Sequence, residues 1–250
     1  MTSPLRRAGT RALAVAAALV AGILIAAVAA TPADAATVTK GLDVSSFQGS
    51  VNWTAQWNAG ARFAYVKATE GTYHTNPSFA QQYNGSYNVG MIRGSYHFAR
   101  PDTTTGATQA DYFVGHGGGW SADGKTLPGA LDIEYNPYGA ECYGLSQASM
   151  RSWVSSFVNE YHARTGRWAV IHTTTSFWRI CTGGSTAFAA HSPLSVIHWD
   201  TAAGPLPTGW SVYTFWSATD CQPTAGLPNC PEATVFNGAL DRLVALANNT

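Results

Sequence analysis

Charged side chains are scarce in this sequence, 11% of 250 residues, and the two signs balance. Such a chain offers no basic face for nucleic acid or an anionic membrane, and neither partner is expected. Cysteine is sparse too, four residues in all, and none has the CxxC spacing of a zinc site. There is no GxGxxG or phosphate-binding loop, no HExxH and no Ser/His/Asp order. Nucleotide-dependent, zinc-protease and serine-hydrolase chemistry therefore all lack their signatures, and no cofactor or metal is expected. After the first 36 residues no run is apolar enough to span a bilayer, and there are no internal repeats.

The opening residues are of a different kind. A short basic stretch, "MTSPLRRAGTR", precedes the apolar "ALAVAAALVAGILIAAVAA" and the small-residue "TPADAA". That order is the pattern of a secretory signal peptide over residues 1–36, cleaved after about Ala35 or Ala36. A membrane anchor is the other reading of the run, and the small-residue site that follows at once favours cleavage. Residues 37–250 then form one secreted, extracellular domain with eleven basic and thirteen acidic residues, a net charge of −2. A monomer is expected. An even cysteine count in an exported chain reads as two disulfides. Cys221 and Cys230 bracket the turn-rich "QPTAGLPN", which leaves Cys142 to pair with Cys181.

Strand-like and helix-like segments alternate through this region. "GLDVSSF", "RFAYVKATEG", "MIRGSYHFA", "LPGALDIE" and "WAVIHTTT" read as strands with helical pieces between them. The clearest helix spans 146–165. Ser146 is its N-cap, Gly166 its stop, and Met150, Trp153, Val154, Phe157, Val158 and Tyr161 form an apolar stripe. Five such alternations predict right-handed βαβ units and a parallel α/β sheet. The late strands, in "PLSVIHWD", "SVYTFW" and "ATVFNG", lack full helices between them, so a closed barrel with an irregular last third is expected.

Acids gather at the predicted strand ends: Asp43 in "GLDVS", Glu70 in "KATEG", and Asp132 with Glu134 in "LDIE". Side chains two apart on a strand share a face, and the carboxyl ends of barrel strands form the active-site face. Grouped carboxylates are what glycosidic bond cleavage needs, one protonated to serve the leaving oxygen and one to support the cationic transition state. Crowding provides the asymmetry, and Asp132, as the charged member, is expected to hold the proton on Glu134.

"GLDVSSFQGSVNW", "FAYVKATEG", "GSYHFARP", "ALDIEYNP" and "VFNG" occur in this order over about residues 39–247, and closely resemble glycoside hydrolase family 25. These are the Ch-type lysozymes, N-acetylmuramidases that cut peptidoglycan. The resemblance implies a flattened, irregular TIM-like (β/α)5(β)3 barrel with its groove at the strand ends. It implies retaining hydrolysis of the peptidoglycan glycan strand at the β-1,4 bond following N-acetylmuramic acid, with the sugar's own 2-acetamido group as a candidate nucleophile. Glu134 matches the general acid/base. Asp132 matches the residue that orients the acetamido group or stabilises charge at the anomeric carbon, and Asp43 a groove-floor acid. Lys67 and Glu70 read as a supporting pair. Tyr96 and His97 match positions beside the reacting sugar, and Tyr135, His172, Trp216 and Glu232 complete the candidate groove.

The second half departs from the family pattern. "PLWIARY" becomes "PLSVIHW", so that Ser195 replaces a groove tryptophan and His198 an arginine. "VIYT" becomes "VIHT" with His172, and "IWQY" becomes "FWSA", which keeps Trp216 but brings in Ser217 and Ala218. An Asp-x-Asn-x-Phe pattern becomes Glu232 to Phe236, a longer acid in place of the aspartate. Two other readings stay open: a catalytically weakened cell-wall glycan-binding relative, and a hydrolase of another acetamido-sugar polymer.

Overall fold

Strand β2 (Phe63–Glu70) carries the logic of the fold in its alternation. Phe63 and Tyr65 join one apolar cluster, whereas Ala64 and Val66 join another on the opposite face. A strand apolar on both faces must be covered on both, which a closed barrel wrapped by helices achieves. In the computed structural model, which describes residues 38–219 and 231–250, this is the arrangement found. The predicted leader, its cleavage site and the Cys221–Cys230 bridge lie outside the described residues.

Around β2, the strands β1 (Thr39–Val44), β4 (Ile92–Phe98), β5 (Ala130–Asp132), β6 (Val170–Thr174), β7 (Leu194–Ile197), β8 (Phe215–Thr219) and β9 (Glu232–Phe236) follow in chain order, with a two-residue β3 (His74–Thr75) on the end of β2. The hydrogen-bonded circuit runs β1, β2, β4, β5, β6, β7, β8, β9 and back to β1. Within this circuit the pairings are parallel from β1 to β8, and β9 runs against both of its neighbours, as the short β3 does against β2. Helices α1 (Trp53–Asn58), α2 (Phe79–Asn88), α3 (Gly106–Phe113), α4 (Gln147–Thr165) and α5 (Thr175–Thr182) fill the first five crossovers, and α6 (Leu240–Asn248) closes the chain. The α/β class, the eight-stranded barrel and the helix-poor last third agree with the sequence reading.

Local chemistry sets the element ends. Ser146 accepts a hydrogen bond from the Ser149 amide at the start of α4, and Gly166 ends it in the left-handed region at φ 71°. Strand β5 is shorter than "LPGALDIE" suggests. Pro128 has no N–H to give a ladder, and the strand ends at Asp132, although the Ile133 amide still donates to the His172 carbonyl at 2.9 Å. Glu134 therefore stands just past the strand, on the loop.

Three apolar clusters divide the core. Inside the barrel, Phe63, Tyr65, Phe215 and Phe236 pack with Leu243 and Ala247 of α6, which plugs the end away from the acids. Gly41 and Gly94 are the clearance for this filling, because a Cβ on either would lie about 2.5 Å from the Phe63 or Tyr65 ring. Outside, α4 lays the stripe from Met150 to Tyr161 over Leu131, Ile133 and Ile171, while α1 and α2 cover Leu42, Val44 and Val66.

Cys142, in the loop after Glu134, is bonded to Cys181 of α5 across 39 residues, with Cα atoms 5.4 Å apart. Closing a loop of that length in the unfolded chain corresponds to about 4 kcal/mol of chain entropy. Chemical denaturation of a Cys142→Ser/Cys181→Ser double variant is expected to show a loss of roughly 2–4 kcal/mol. A loss below about 0.5 kcal/mol would mean that the unfolded chain without the bond already keeps these segments close together.

Candidate active site

The strand ends opposite α6 enclose a cavity of about 620 Å³. Its acids arrive from different parts of the chain. Asp43 comes from the end of β1, Asp132 and Glu134 from the end of β5, and Glu232 from the start of β9. Because β9 is antiparallel to the others, its first residue reaches the rim at which they finish, and Glu232 lies in register with Asp43. Lys67 of β2, Tyr96 and Phe98 of β4, His172 of β6 and Ser195 of β7 complete the wall.

Lys67 is held by Glu70, with Nζ 2.7 Å from Oε2. Glu70 itself stands behind the wall, accepting hydrogen bonds from Tyr73 (2.8 Å) and Tyr138 (2.9 Å), with Arg100 at 3.8 Å. Burial would raise its carboxyl, but the Lys67 hydrogen bond and charge outweigh that and hold it below the ordinary range. Glu70 thus stays ionised, fixes Lys67 toward the acids and tethers Tyr138 of the loop that follows Glu134.

Three residues expected in the groove lie elsewhere, all for the same reason. Tyr96 faces the cavity, so its neighbour His97 must face out. His97 is fully buried beneath α3 and α4, bonded to Thr69 Oγ1 (2.8 Å) and Gln109 Oε1 (2.9 Å) and stacked on Phe157. Burial takes its pKa down to about 4, so it is a neutral structural side chain. Tyr135 follows the inward Glu134 and packs edge-on against Phe177. Trp216 lies between the inward Phe215 and Ser217, and its indole N–H donates to the His198 carbonyl at 2.8 Å. Neither Tyr135 nor Trp216 lines the cavity.

Among the lining residues that sequence reasoning missed are two exposed aromatic side chains. Phe47 is 75% exposed and Trp199 58% exposed, both at the mouth. The Trp199 indole donates to Glu232 Oε1 at 2.9 Å, and the same oxygen accepts from Ser217 Oγ. The signal was the last residue of "PLSVIHW", an aromatic just past a strand end. Of the departures, Ser195 stands against His172, Oγ to Nδ1 2.9 Å, while His198 turns away to the Ala202 carbonyl.

Burial governs the acids. It pushes Asp43 well above the ordinary range, with the Glu232 charge second, and pushes Asp132 likewise, with the Glu134 charge second. Glu134 rises from an ordinary value near 4.5 to about 7, by burial first and by Glu232 second, while its hydrogen bond with Asp132 acts downward. This corrects the expectation that Asp132 holds the proton on Glu134: desolvation and Glu232 do. One Asp132 oxygen and one Asp43 oxygen are buried without a hydrogen-bond partner among the described residues. Burial lowers His172, with Glu232 opposing, so its imidazole is predominantly neutral at neutral pH. Such a cavity can deliver a proton near neutral pH, support a developing positive charge, and receive a neutral polymer at an aromatic mouth.

Residues 42–227 match the model of "Glycosyl hydrolases family 25". Lysozyme M1 of Streptomyces globisporus is 50% identical over 219 residues, 88% of this chain and 74% of that protein. An N,O-diacetylmuramidase of Chalaropsis sp is 48% identical over 212 residues, 83% of this chain and 98% of that protein. The crystal structure of a bacterial lysozyme from Streptomyces coelicolor, 50% identical, superposes with a TM-score of 0.83 over 85% of this chain and 98% of its own.

A carboxyl raised to about 7 keeps in the fold a proton that the unfolded chain releases from about pH 4.5 upward. The wild-type fold therefore loses stability relative to the unfolded chain as pH rises through that window. Glu134→Gln has no such proton, so its Tm advantage over the wild type is expected to grow between pH 4.5 and pH 7.5 in calorimetry. A difference independent of pH would contradict the burial of Glu134.

Proposed function

The chain belongs to glycosyl hydrolases family 25, and on that premise we propose that residues 37–250 are the catalytic domain of a secreted muramidase. It hydrolyses the β-1,4 bond between N-acetylmuramic acid and N-acetylglucosamine in peptidoglycan, with retention of configuration and Glu134 as general acid/base. The observation that carries this reading is Glu134 itself, raised to about 7 by burial and hydrogen-bonded with Asp132 in a cavity at the strand ends. Its relatives named lysozyme and N,O-diacetylmuramidase, each about half identical, support the substrate class. The basic-then-apolar leader and the Cys142–Cys181 disulfide support export.

In the proposed cycle the Glu134 carboxylic acid gives its proton to the glycosidic oxygen as the C1–O bond breaks. The carbonyl oxygen of the sugar's 2-acetamido group closes on C1, and Asp132 holds the acetamido N–H and supports the positive charge that develops. Glu134, now a carboxylate, then takes a proton from the water that opens the cyclic intermediate, and the acid is restored. Asp43 and Glu232 supply the surrounding negative field, and Phe47 and Trp199 offer stacking faces for the flanking sugars. A purely glycan-binding protein would have no use for a buried carboxyl tuned to neutral pH.

Incubation with purified peptidoglycan is expected to release fragments with N-acetylmuramic acid at the reducing end, read by borohydride reduction and mass spectrometry. N-acetylglucosamine ends would transfer the activity to another acetamido-sugar bond, and no release would favour the binding protein. Glu134→Gln is expected to lower kcat by about 10²–10⁴. The alkaline limb of kcat/KM is expected near pH 7, where Glu134 loses its proton. Because the Glu232 charge raises Glu134, Glu232→Gln is expected to move that limb toward acid. An unmoved limb would remove Glu232 from the control of the proton.

A further inference from the structure

The floor of the cavity carries a donor set for which proton transfer to a glycosidic oxygen has no need. Asp43 and Glu232 face each other across the β1–β9 pairing, and His172 enters from β6, three strands from β9 and four from β1 around the barrel. One donor atom from each of the three lies within 4.8 Å of the others. His172 and Glu232 are two of the departures noted in the sequence, an imidazole and a long carboxylate where the resembled pattern has a tyrosine and an aspartate.

The hydrogen bonds leave the three with donor atoms to spare. Asp43 Oδ1 is buried and has no hydrogen-bond partner among the described residues. Glu232 Oε1 is occupied by the Trp199 indole and the Ser217 hydroxyl, which fixes the carboxylate and, among the described residues, leaves Oε2. His172 Nδ1 is bound to Ser195 Oγ at 2.9 Å, which leaves Nε2. With Nδ1–H donating to the serine, Nε2 carries the lone pair, and a second partner that orients a ligating imidazole in this way is typical of metal sites. Asp132 and Glu134 line the same cavity, so four carboxyl groups face the ammonium of Lys67, whose charge Glu70 partly offsets at 2.7 Å. The local field therefore favours a cation.

We propose that Asp43 Oδ1, His172 Nε2 and Glu232 Oε2 bind a divalent transition-metal ion of the zinc class, and that the bound ion blocks the cavity to glycan. Two carboxylate oxygens and one imidazole nitrogen form a donor set suited to zinc, with a fourth position left for water. Metal–ligand distances of about 2.0–2.2 Å require the donors to draw closer than their present spread. Glu232 is the member with the rotatable length to do so. An aspartate at that position has one methylene fewer, and a tyrosine at position 172 supplies no neutral nitrogen donor.

The test is a zinc titration of the untagged protein in metal-free buffer at pH 7 by isothermal calorimetry. It involves no glycan, so its outcome does not depend on the proposed hydrolytic activity. One site with Kd on the order of 10 µM or tighter is expected, weakened at least about tenfold by His172→Phe and by Glu232→Gln, with circular dichroism confirming that both variants fold. Zinc is also expected to inhibit peptidoglycan hydrolysis reversibly, with chelator restoring it. Binding of equal strength in wild type and both variants would assign the ion to surface histidines and overturn the site, as would no binding below about 1 mM. Should either variant misfold, anomalous diffraction at the zinc edge from wild-type crystals decides instead: a peak among the three side chains supports the site, and peaks only at the surface overturn it.

Discussion

Desolvation of carboxylates at the rim of the barrel is the constraint on which the rest of this molecule depends. A carboxyl group in water ionises well below neutral pH, and one enclosed by protein pays for its charge with lost hydration. Asp43, Asp132 and Glu134 are all shifted upward for that reason before any neighbouring charge acts. The barrel creates the condition by filling its lower half with aromatic rings and α6, so that water reaches the acids from the open end. The proton held there is the basis of the proposed chemistry, and the fold tolerates the cost of holding it.

The supporting elements keep that rim in one arrangement. Glu70 stays ionised against the general trend because Lys67 outweighs its burial, and the pair aims a positive charge into the acid cluster. The Tyr138 hydroxyl on Glu70 and the Cys142–Cys181 bond together fasten the loop that carries Glu134. Trp199 and Ser217 fix Glu232, so the side chain second in importance for the Glu134 proton is itself held by two hydrogen bonds. These contacts couple the aromatic mouth to the electrostatics of the floor.

Much of this was legible in the amino-acid sequence. The alternation of strands and helices carried the α/β class and the helix-poor last third, and the quoted motifs carried the family and the acids at the strand ends. The helix from Gln147 to Thr165 announced both of its ends through Ser146 and Gly166. Misplacements followed strand parity. His97, Tyr135 and Trp216 each stand next to an inward-facing residue, Tyr96, Glu134 or Ser217, and so point into the outer layer. The electrostatic hierarchy was not legible, because burial depends on how strands far apart in sequence close around a site. Asp132 is two residues from Glu134, yet the distant Glu232 is the neighbour that raises it. Phe47 sits in a three-residue 3-10 turn and Trp199 in a loop, where no periodicity marks a side chain as part of a cavity.

The central claim is that burial keeps Glu134 protonated to near neutral pH. Its most direct measurement is a titration of the glutamate side-chain carbons by carbon-13 NMR, with Glu134→Gln identifying the resonance. The account expects Glu134 to titrate near pH 7 in the absence of substrate. Titration near 4.5, among the exposed glutamates, would contradict it and place the source of the proton elsewhere.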